Sequence, residues 1–555
     1  MSTVTPALLT RRGAQRLPRL ALLLFCAAYV LPGIFGRDPW RNADLAAYGL
    51  MAAMAEGRTA WLAPTLGGLP VDAALMPHWL GAAFVAALGP WLGGPLAARL
   101  PFALLLALTL ALVWYATYHL ARTEAAQPVP FAFGGEAEPV DYARAIADAA
   151  LLALIASLGL LQLGHETTPE LAQLVAVALL LWSLAVAPYR AFAGRLGAIA
   201  GLGVLSASGA PAMALAMGAG ATLVCARSSY AVVRTTSAWV GVGTLAAIGI
   251  GMLAQTWRWR VATGLDAGDA WSILRQWAWF LWPVWPAMLW ALWRWRRHLT
   301  HRHVSVPLIV VLSGLGANLA MGGADRALML ALPGTAMLAA FALPTLKRGA
   351  SAAVDWLSMC FFTISALAIW IIYVAMVTGW PAKPAANVAK LAPGFVAAFS
   401  WFDLIPALIG TLSWLWLVRW RTGRHREAVW KSMVIPAGGV ALCWLLLSTL
   451  WLPLLDYARS MRPWVERLAL HVRPDDCIAA PGLGTAQIAV LETQGRWRVD
   501  ARPEAPSGDC RIRLAVTKTL PLPAPPEGWT TLANVRRPSD RDEVTVVWVR
   551  RATPP

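Results

Sequence analysis

Potentially catalytic side chains stand in one long polar stretch near the N-terminus, over residues 36–94, between two apolar runs. Asp44 is near its start and Tyr48 follows four residues later. Residues four apart share a helix face, and Asn42 or Asp44 is suited to cap a helix running to about Glu56. Held beside a water-filled cavity at a membrane boundary, Asp44 would serve as a general base on an incoming hydroxyl. The simpler interpretation is a plain helix cap.

His165 and Glu166 form a second polar pair, at the end of an apolar run. They predict either a catalytic or divalent-metal site, or a hydrogen-bonded pair at the membrane interface. A metal needs more ligands than two adjacent side chains supply, and no third ligand follows at a suitable spacing. Asp44 or His78 would complete such a site if the fold brought it close.

Three arginines are candidate phosphate ligands, because a guanidinium forks onto phosphate oxygens. Arg258 and Arg260 lie in one polar loop, where contact with lipid head groups is the alternative. Arg326 stands at another predicted membrane boundary, where the alternative is an ion pair with Asp325. Most tryptophans predict interfacial belts, and Trp40 and Trp61 are the exceptions considered for sugar stacking.

The elements that position these groups are transmembrane helices. Of the 555 residues, 58% are hydrophobic and only 14% are charged, whereas soluble proteins have roughly 25% charged residues. The net charge of +17 would suit nucleic acid, but the arginines cluster between apolar runs, as topology signals do. We therefore expect contact with membrane lipid and no nucleic acid.

Fourteen apolar stretches are candidate transmembrane spans, and the distribution of basic residues indicates which of them cross the membrane. If 77–95 does not cross, most basic residues of the short loops fall on the side of the N-terminus; if it does cross, most of them change sides. We therefore predict about 13 spans, a surface helix at 77–95, a cytoplasmic N-terminus and an outside C-terminus. The predicted spans are 20–36, 97–120, 145–163, 169–188, 196–209, 211–226, 236–255, 273–293, 304–322, 327–344, 354–378, 399–418 and 432–453.

The last hundred residues are more polar and alternate in hydropathy, as strands do. Segments such as DCIAAPGL, GRWRVDAR, CRIRLAVT and EVTVVWVRR predict strands, with a helix over Arg459–His471. This indicates a small α/β domain outside the membrane. Cys477 and Cys510 both stand beside predicted strands, and in an oxidising compartment they either pair or remain free.

Motifs in the polar stretch resemble those of the bacterial branch of the protein O-mannosyltransferase superfamily, which includes the aminoarabinose transferases of lipid A. The Asp44…Tyr48 spacing matches the first family motif, Trp61 and Pro64 match the second, and 98–101 (ARLP) matches the motif that opens the next span. The similarity extends over the whole chain.

The resemblance implies a GT-C fold: an α-helical polytopic membrane protein with about 13 transmembrane helices and a small C-terminal periplasmic α/β domain. The transmembrane domain would cover residues 1–453, with juxtamembrane helices within 36–96, and the periplasmic domain 454–555. It also implies a sugar transferase of the bacterial inner membrane. The donor would be a polyprenyl-phosphate-linked sugar, and the acceptor lipid A, another envelope glycan or protein.

The resemblance assigns Asp44 as the catalytic residue, acting as general base or orienting the acceptor. Substrate-binding residues would be Tyr48, Asp72, His78, His165, Glu166, Arg258, Arg260 and Arg326. The cofactor is undetermined, a divalent metal being one option.

The chain departs from the family at its phosphate-binding positions. A lysine expected beside Asp72 is Ala73, and a Lys-Gly-Pro motif is missing at 206–211. Arg326 replaces a further family lysine, and Leu330 replaces a tyrosine. The missing lysine favours one rival function, a non-catalytic relative that binds a lipid-linked sugar. A transporter or flippase is the other rival, although few charged residues stand within the predicted spans to mark a path.

Overall fold

Apolar sequence forms helices here because hydrocarbon offers no partner to backbone N–H and C=O groups, so each segment must bond its own. The computed structural model describes residues 5–40, 42–71, 74–257, 261–262, 267–346, 348–422, 428–503, 510–518, 521–540 and 542–551. As predicted, the chain is a helical bundle with a small α/β domain at one end.

The first half of the bundle contains α1 to α10. Their bounds are α1 Arg19–Val30, α2 Ala43–Ala55, α3 Leu75–Leu92, α4 Gly94–Ala121, α5 Pro139–Ala156, α6 Leu160–Leu163, α7 Pro169–Val186, α8 Ala191–Ala207, α9 Pro211–Ala226 and α10 Ala231–Leu253. A short hairpin, β1 Thr65–Leu66 and β2 Leu69–Pro70, lies between α2 and α3.

The second half contains α11 to α20. Their bounds are α11 Ala267–Phe280, α12 Trp285–Arg294, α13 Arg302–Ala320, α14 Asp325–Met329, α15 Leu332–Ala342, α16 Arg348–Thr378, α17 Ala382–Leu391, α18 Trp401–Thr422, α19 Lys431–Leu447 and α20 Leu452–Arg459.

Among the described residues, 7 helices are long and apolar enough to cross a membrane, or 8 if the bent pair α19–α20 counts as one span. Further apolar helices, such as α8 and α9, are shorter. The total of about 13 spans therefore stays a prediction.

Helix α3 is one of those 7 by length and hydropathy, yet both of its ends lie at the same end of the bundle. At its start, Ala74 approaches the turn between α8 and α9, where a Cβ added to Gly209 would lie 3.0 Å from the Ala74 Cβ. Just past its end, a Cβ added to Gly94 would lie 2.4 Å from the Tyr48 hydroxyl of α2. This placement agrees with the surface helix expected from the charge distribution.

The C-terminal domain contains α21, α22 and a five-stranded sheet. The bounds are α21 Arg462–Ala469, β3 Cys477–Ala479, α22 Thr485–Thr493, β4 Arg498–Asp500, β5 Ile512–Thr517, β6 Trp529–Val535 and β7 Val544–Arg550. The strand order is β4-β3-β5-β7-β6, in which β3 is parallel to β4 and β5, and β7 is antiparallel to β5 and β6. Cys477 and Cys510 form a disulfide beside β3 and β5.

Helix α2 joins the two parts of the molecule. Leu45 and Ala53 belong to the apolar core of the C-terminal domain, while Met51 on another face packs against Gly81 of α3. Gly49 lets α2 approach α22, because a Cβ added there would lie 2.3 Å from the Ala489 Cβ. The helix that carries Asp44 is thus fixed from both sides.

Candidate functional site

The candidate residues meet at one end of the bundle, here called the site end. Three segments build it: residues 33–40 after α1, the loop 164–168 before α7, and α14. The C-terminal domain lies at the same end, because α2 packs against α22. Loops placed by rigid helices are where binding and catalytic groups usually concentrate.

Asp44 lies in the first turn of α2 and is 2% exposed. Its Oδ1 accepts hydrogen bonds from the backbone N–H (2.7 Å) and the hydroxyl (2.8 Å) of Thr167. Its Oδ2 accepts from Nη1 of Arg37 and from the backbone N–H of Trp40, both at 3.1 Å. Burial by itself would raise the pKa of Asp44, but Arg37, Arg99 and the Thr167 bonds outweigh it and lower the pKa. Asp44 is therefore held ionised.

Arg37 orders the segment around Asp44. Its Nε donates to the carbonyl oxygen of Gly33 (2.9 Å) and its Nη2 to that of His165 (2.6 Å). The side chains of Arg37 and Asp44 are each 2% exposed, so the ion pair has almost no contact with solvent. A buried ion pair with its remaining donors satisfied fixes geometry more than it adds stability.

Arg99, from the ARLP motif, supports this pair from α4. Its Nη1 donates to the carbonyl oxygen of Arg37 at 2.7 Å. Its Nε and Nη2 are buried without a partner, and Arg99 lines a small cavity of about 10 Å³ together with Phe102 and His165. That volume is at the lower limit for one water molecule.

Glu166 forms a second charged cluster with Arg326 of α14. Arg326 Nη2 donates to Glu166 Oε2 (2.5 Å), and its Nη1 contacts the Thr168 hydroxyl (2.8 Å) and Glu170 Oε2 (3.4 Å). Gln162 donates to the other Glu166 oxygen at 2.9 Å. Burial raises the pKa of Glu166, and the Arg326 guanidinium acts in the opposite direction. Arg326 thus pairs with Glu166 and Glu170, whereas Asp325 contacts only its backbone N–H.

His165 belongs to the loop 164–168, and both of its ring nitrogens face backbone carbonyl oxygens. Its Nδ1 is 2.7 Å from the carbonyl oxygen of Leu161, and its Nε2 is 2.9 Å from that of Tyr29. Burial, above all, lowers the pKa of His165 to about 4, so the ring is neutral and donates through one nitrogen only. His165 is a packing and orienting residue of the loop.

The residues present do not fit a divalent metal. Both oxygens of Asp44 are occupied by donors, Glu166 is bound by Arg326 and Gln162, and both His165 nitrogens face carbonyl oxygens. No group of three His, Cys, Asp or Glu side chains within the described ranges is arranged to hold a metal ion. The optional metal site is therefore not assembled by these side chains.

Tyr48 and His78 border the site without joining the Asp44 network. The Tyr48 hydroxyl lies against Gly94 between α3 and α4, and burial raises the pKa of Tyr48 to about 12. His78 is buried in α3, where its Nδ1 is 2.6 Å from the carbonyl oxygen of Ala74. Asp72, Arg258 and Arg260 lie outside the described residues, so their predicted roles stay predictions.

Trp40 links the site to the C-terminal part of the chain. Its ring lies between two guanidiniums, with Arg37 Cζ at 4.7 Å and Arg459 Cζ at 5.1 Å from the ring centroid. Its Nε1 donates to Asp456 Oδ1 at 3.1 Å. Trp40 is 5% exposed, so both faces are covered and it offers no platform for sugar stacking.

Asp38 forms the remaining link, because it binds Arg462 of α21 through two charge-assisted hydrogen bonds of 2.8 and 2.5 Å. Sequence reasoning missed Asp38, Arg37 and Thr167 as site residues. Arg37 and Asp38 belong to the same polar stretch as Asp44, and this proximity was the available signal. Nothing in the spacing of Thr167 points to Asp44, which is 123 positions away.

An open cleft of about 290 Å³ lies between α11 and the turn before α14. Its lining includes Arg275, Gln276 and Trp279 of α11, with Gly322 and Gly323 opposite. Gln276 Nε2 donates to the carbonyl oxygen of Gly323 at 2.8 Å. Gly323 is three residues from Arg326 in the sequence, so the turn that lines the cleft leads into the helix that carries Arg326.

No family model matches the sequence, and no curated protein sequence matches it. Two crystal structures share its fold: ArnT from Cupriavidus metallidurans bound to undecaprenyl phosphate, with a TM-score of 0.58, and the same protein in the apo state, with a TM-score of 0.59. Each is 13% identical and the match covers 95% of this chain and 96% of ArnT. The likeness extends over bundle and C-terminal domain, and it confirms the predicted architecture at the level of the fold.

Proposed function

We propose that this protein transfers a sugar from a polyprenyl-phosphate carrier to a cell-envelope acceptor, a lipid A-type lipid, another glycan or a protein. The observation that carries the proposal is the fold shared over 95% of the chain with ArnT, which was crystallised with undecaprenyl phosphate. Fold alone does not fix function. The buried carboxylates and arginines at one end of the same fold are the independent support.

We place the reaction on the periplasmic side of a bacterial inner membrane. The Cys477–Cys510 disulfide supports this orientation, because such bonds persist in oxidising compartments. The C-terminal domain that contains it lies at the site end. The carrier head group would enter by the cleft between α11 and the turn before α14, the helix that carries Arg326.

Arg326 is the cation proposed to meet the carrier phosphate, in place of the family lysine missing at Ala73. In the present arrangement Glu166 and Glu170 neutralise it. Phosphate binding would therefore exchange one carboxylate partner for a phosphate oxygen, which preserves the charge balance of a partly buried guanidinium. Arg258 and Arg260 remain proposed phosphate ligands.

Asp44 is proposed to orient the acceptor hydroxyl. A carboxylate with a lowered pKa is a weak general base, so hydrogen bonding to the acceptor suits it better than early proton removal. The acceptor oxygen would bond to the anomeric carbon as the bond from that carbon to the phosphate oxygen breaks. The carrier phosphate leaves with the electron pair, and the hydroxyl proton passes to Asp44 or to water. The Thr167 hydroxyl is the donor that would give way to the acceptor.

A non-catalytic relative that binds a lipid-linked sugar is the second candidate. It is favoured by the missing lysine and by the complete mutual satisfaction of Asp44, Arg37, Glu166 and Arg326. Carrier binding and sugar transfer must therefore be measured separately.

The test uses the full-length protein in detergent, a radiolabelled lipid-linked sugar, and undecaprenyl phosphate as the binding probe. Asp44→Asn is expected to lower transfer by about 100-fold or more while binding of undecaprenyl phosphate is retained. Asp355→Asn is the matched control, because Asp355 also pairs with an arginine, Arg421, at 2.5 Å, but away from the site.

Transfer that survives Asp44→Asn would refute the role of Asp44. Binding of undecaprenyl phosphate without transfer from any supplied donor would favour the non-catalytic relative. If the protein neither binds undecaprenyl phosphate nor transfers sugar, the proposal is wrong.

A further inference from the structure

Arginines gather at the opposite end of the bundle, defined by the loops at 122–138, 187–190, 227–230 and 295–301. Helix α4 runs from Arg99 at the site end to Arg122, and α7 runs from the 164–168 loop to Tyr189. Helix α13 begins there with Arg302, since its last turn reaches the site end through the Asn318 amide, which donates to the carbonyl oxygen of Ala324 at 2.8 Å.

Arg302 is the deepest of these arginines and is 6% exposed. Its Nη2 donates to the carbonyl oxygen of Leu184, whereas Nε and Nη1 are buried without a partner. The Tyr230 ring is 6.0 Å from its Cζ. A buried charge without a counter-ion destabilises the folded protein, so a buried guanidinium with two unpartnered nitrogens points to an anionic partner.

Arg122 completes the arrangement around Tyr189. Its Cζ lies 5.5 Å from the Tyr118 ring centroid and 4.9 Å from that of Tyr189. The Tyr189 hydroxyl donates to the carbonyl oxygen of His119 at 3.3 Å and interacts electrostatically with both Arg122 and Arg302. Arg122 therefore lies against Tyr189, and Arg302 lies against Tyr230 at the same end of the bundle.

Carboxylates do not neutralise this group. Within the described parts of the chain, the ion pairs include no acidic partner for Arg122, Arg190 or Arg302. Glu124, two residues beyond Arg122, is exposed. At the site end, by contrast, Arg37 and Arg326 each bind a carboxylate. Arg99 there also has two buried nitrogens without a partner, but the charge of Asp44 is close enough for Arg99 to lower the pKa of Asp44.

We propose that Arg122 and Arg302 bind the phosphodiester head group of an anionic phospholipid. The shared chemistry is a phosphate oxyanion, and the surroundings favour the lipid over free phosphate. Large apolar side chains stand exposed beside the arginines, with Phe192 at 75% and Leu223 at 50%, and acyl chains would cover them. Basic pockets between transmembrane helices are known lipid head-group sites. This site does not depend on the proposed transfer reaction.

The test is native mass spectrometry of the full-length protein in detergent with phosphatidylglycerol added. Arg122→Gln and Arg302→Gln are each expected to weaken binding about fivefold, the effect of one arginine near a head group. Arg296→Gln is the matched control. Arg296 lies at the same end, is exposed, and donates only to the carbonyl oxygen of Trp293 (3.0 Å).

Phosphatidylcholine and inorganic phosphate are the comparison ligands, and both are expected to bind much more weakly than phosphatidylglycerol. Equal losses in all three variants would show diffuse charge attraction and overturn the site. If phosphatidylcholine binds as tightly as phosphatidylglycerol, the site does not recognise an anionic lipid. If inorganic phosphate binds as tightly as phosphatidylglycerol, the site binds a free anion rather than a lipid. If Arg302→Gln fails to fold, Arg122→Gln decides, because Arg122 is half-buried at the rim.

Discussion

Two buried arginines at opposite ends of the helical bundle, Arg37 and Arg302, differ in how many of their guanidinium nitrogens have a partner. At the site end, Arg37 gives all three kinds of guanidinium nitrogen to acceptors, and one of those acceptors is the carboxylate of Asp44. At the opposite end, Arg302 is about as buried but bonds only through Nη2. Arg37 therefore has Nε, Nη1 and Nη2 all hydrogen-bonded, whereas Arg302 has two nitrogens without a partner.

This difference distinguishes a charge network that is ordered before a ligand binds from a buried charge that a bound ligand would stabilise. A charge network that satisfies itself holds loops in place before any ligand arrives. A buried cation without a counter-ion gains stability only when an anion binds. Burial alone does not reveal which case applies, and the partners of each nitrogen do.

Replacing each arginine by methionine gives the largest contrast. Arg37→Met leaves Asp44 buried without its cation and should cost about 3–5 kcal/mol of unfolding free energy. Arg302→Met removes a buried charge that lacks a counter-ion, so it should leave the free energy of unfolding unchanged or raise it in lipid-free detergent. Thermal and denaturant unfolding of the full-length protein measures both.

The double variant Arg37→Met with Asp44→Asn is the control for that contrast. It should recover part of the loss, because the amide leaves no uncompensated buried charge. Equal destabilisation by Arg37→Met and Arg302→Met would abolish the distinction between the two ends.

A smaller effect is expected at Thr167, which bonds Asp44 through both its backbone and its hydroxyl. Thr167→Val keeps the shape and the backbone bond but loses the hydroxyl, for a cost of about 1.5–3 kcal/mol for a bond to a charged group. Thr167→Ser should restore most of it in the same unfolding assay. Stability unchanged in Thr167→Val would show that the hydroxyl bond contributes little to the network.

The smallest expected effect is the pH dependence of the contribution that Asp44 makes to stability. The folded pKa of Asp44 lies below its ordinary value of 3.8, so its stabilising contribution is present above the unfolded pKa and is lost as pH falls through the folded one. The stability difference between the native protein and Asp44→Asn should change by under about 0.3 kcal/mol from pH 8 to 5. Below the unfolded pKa it should shrink by about 1.4 kcal/mol per pH unit. A difference that already shrinks at pH 6 would mean that the pKa of Asp44 is raised.

Local patterns predicted many elements because their causes are local. The expected helix from Asn42 or Asp44 to about Glu56 is α2, Ala43–Ala55. The four predicted strand segments contain β3, β4, β5 and β7, because alternating hydropathy suits a sheet with one buried face. Strand β6 at Trp529–Val535 was missed, since its WTTLANV run has weak alternation and follows a proline-rich loop.

The candidate site was predicted only in part. Asp44, His165, Glu166 and Arg326 are brought to one end of the bundle, and Tyr48 and His78 lie at its border. The hydrogen-bond partners of these residues were not predictable: Thr167 and Arg326 reach their acceptors across 123 and 160 positions. Such contacts depend on helix packing, which no local spacing encodes.

The sequence by itself determined a polytopic helical membrane fold and a C-terminal α/β domain, because hydropathy and charge act on each segment separately. Only the tertiary structure decided which charges are satisfied. It gives Asp44 four hydrogen bonds and pairs the Arg326 side chain with Glu166 rather than with Asp325. It also leaves Nε and Nη1 of Arg302 buried without a partner. The reason is physical: the energy of a buried charge depends on its neighbours in space.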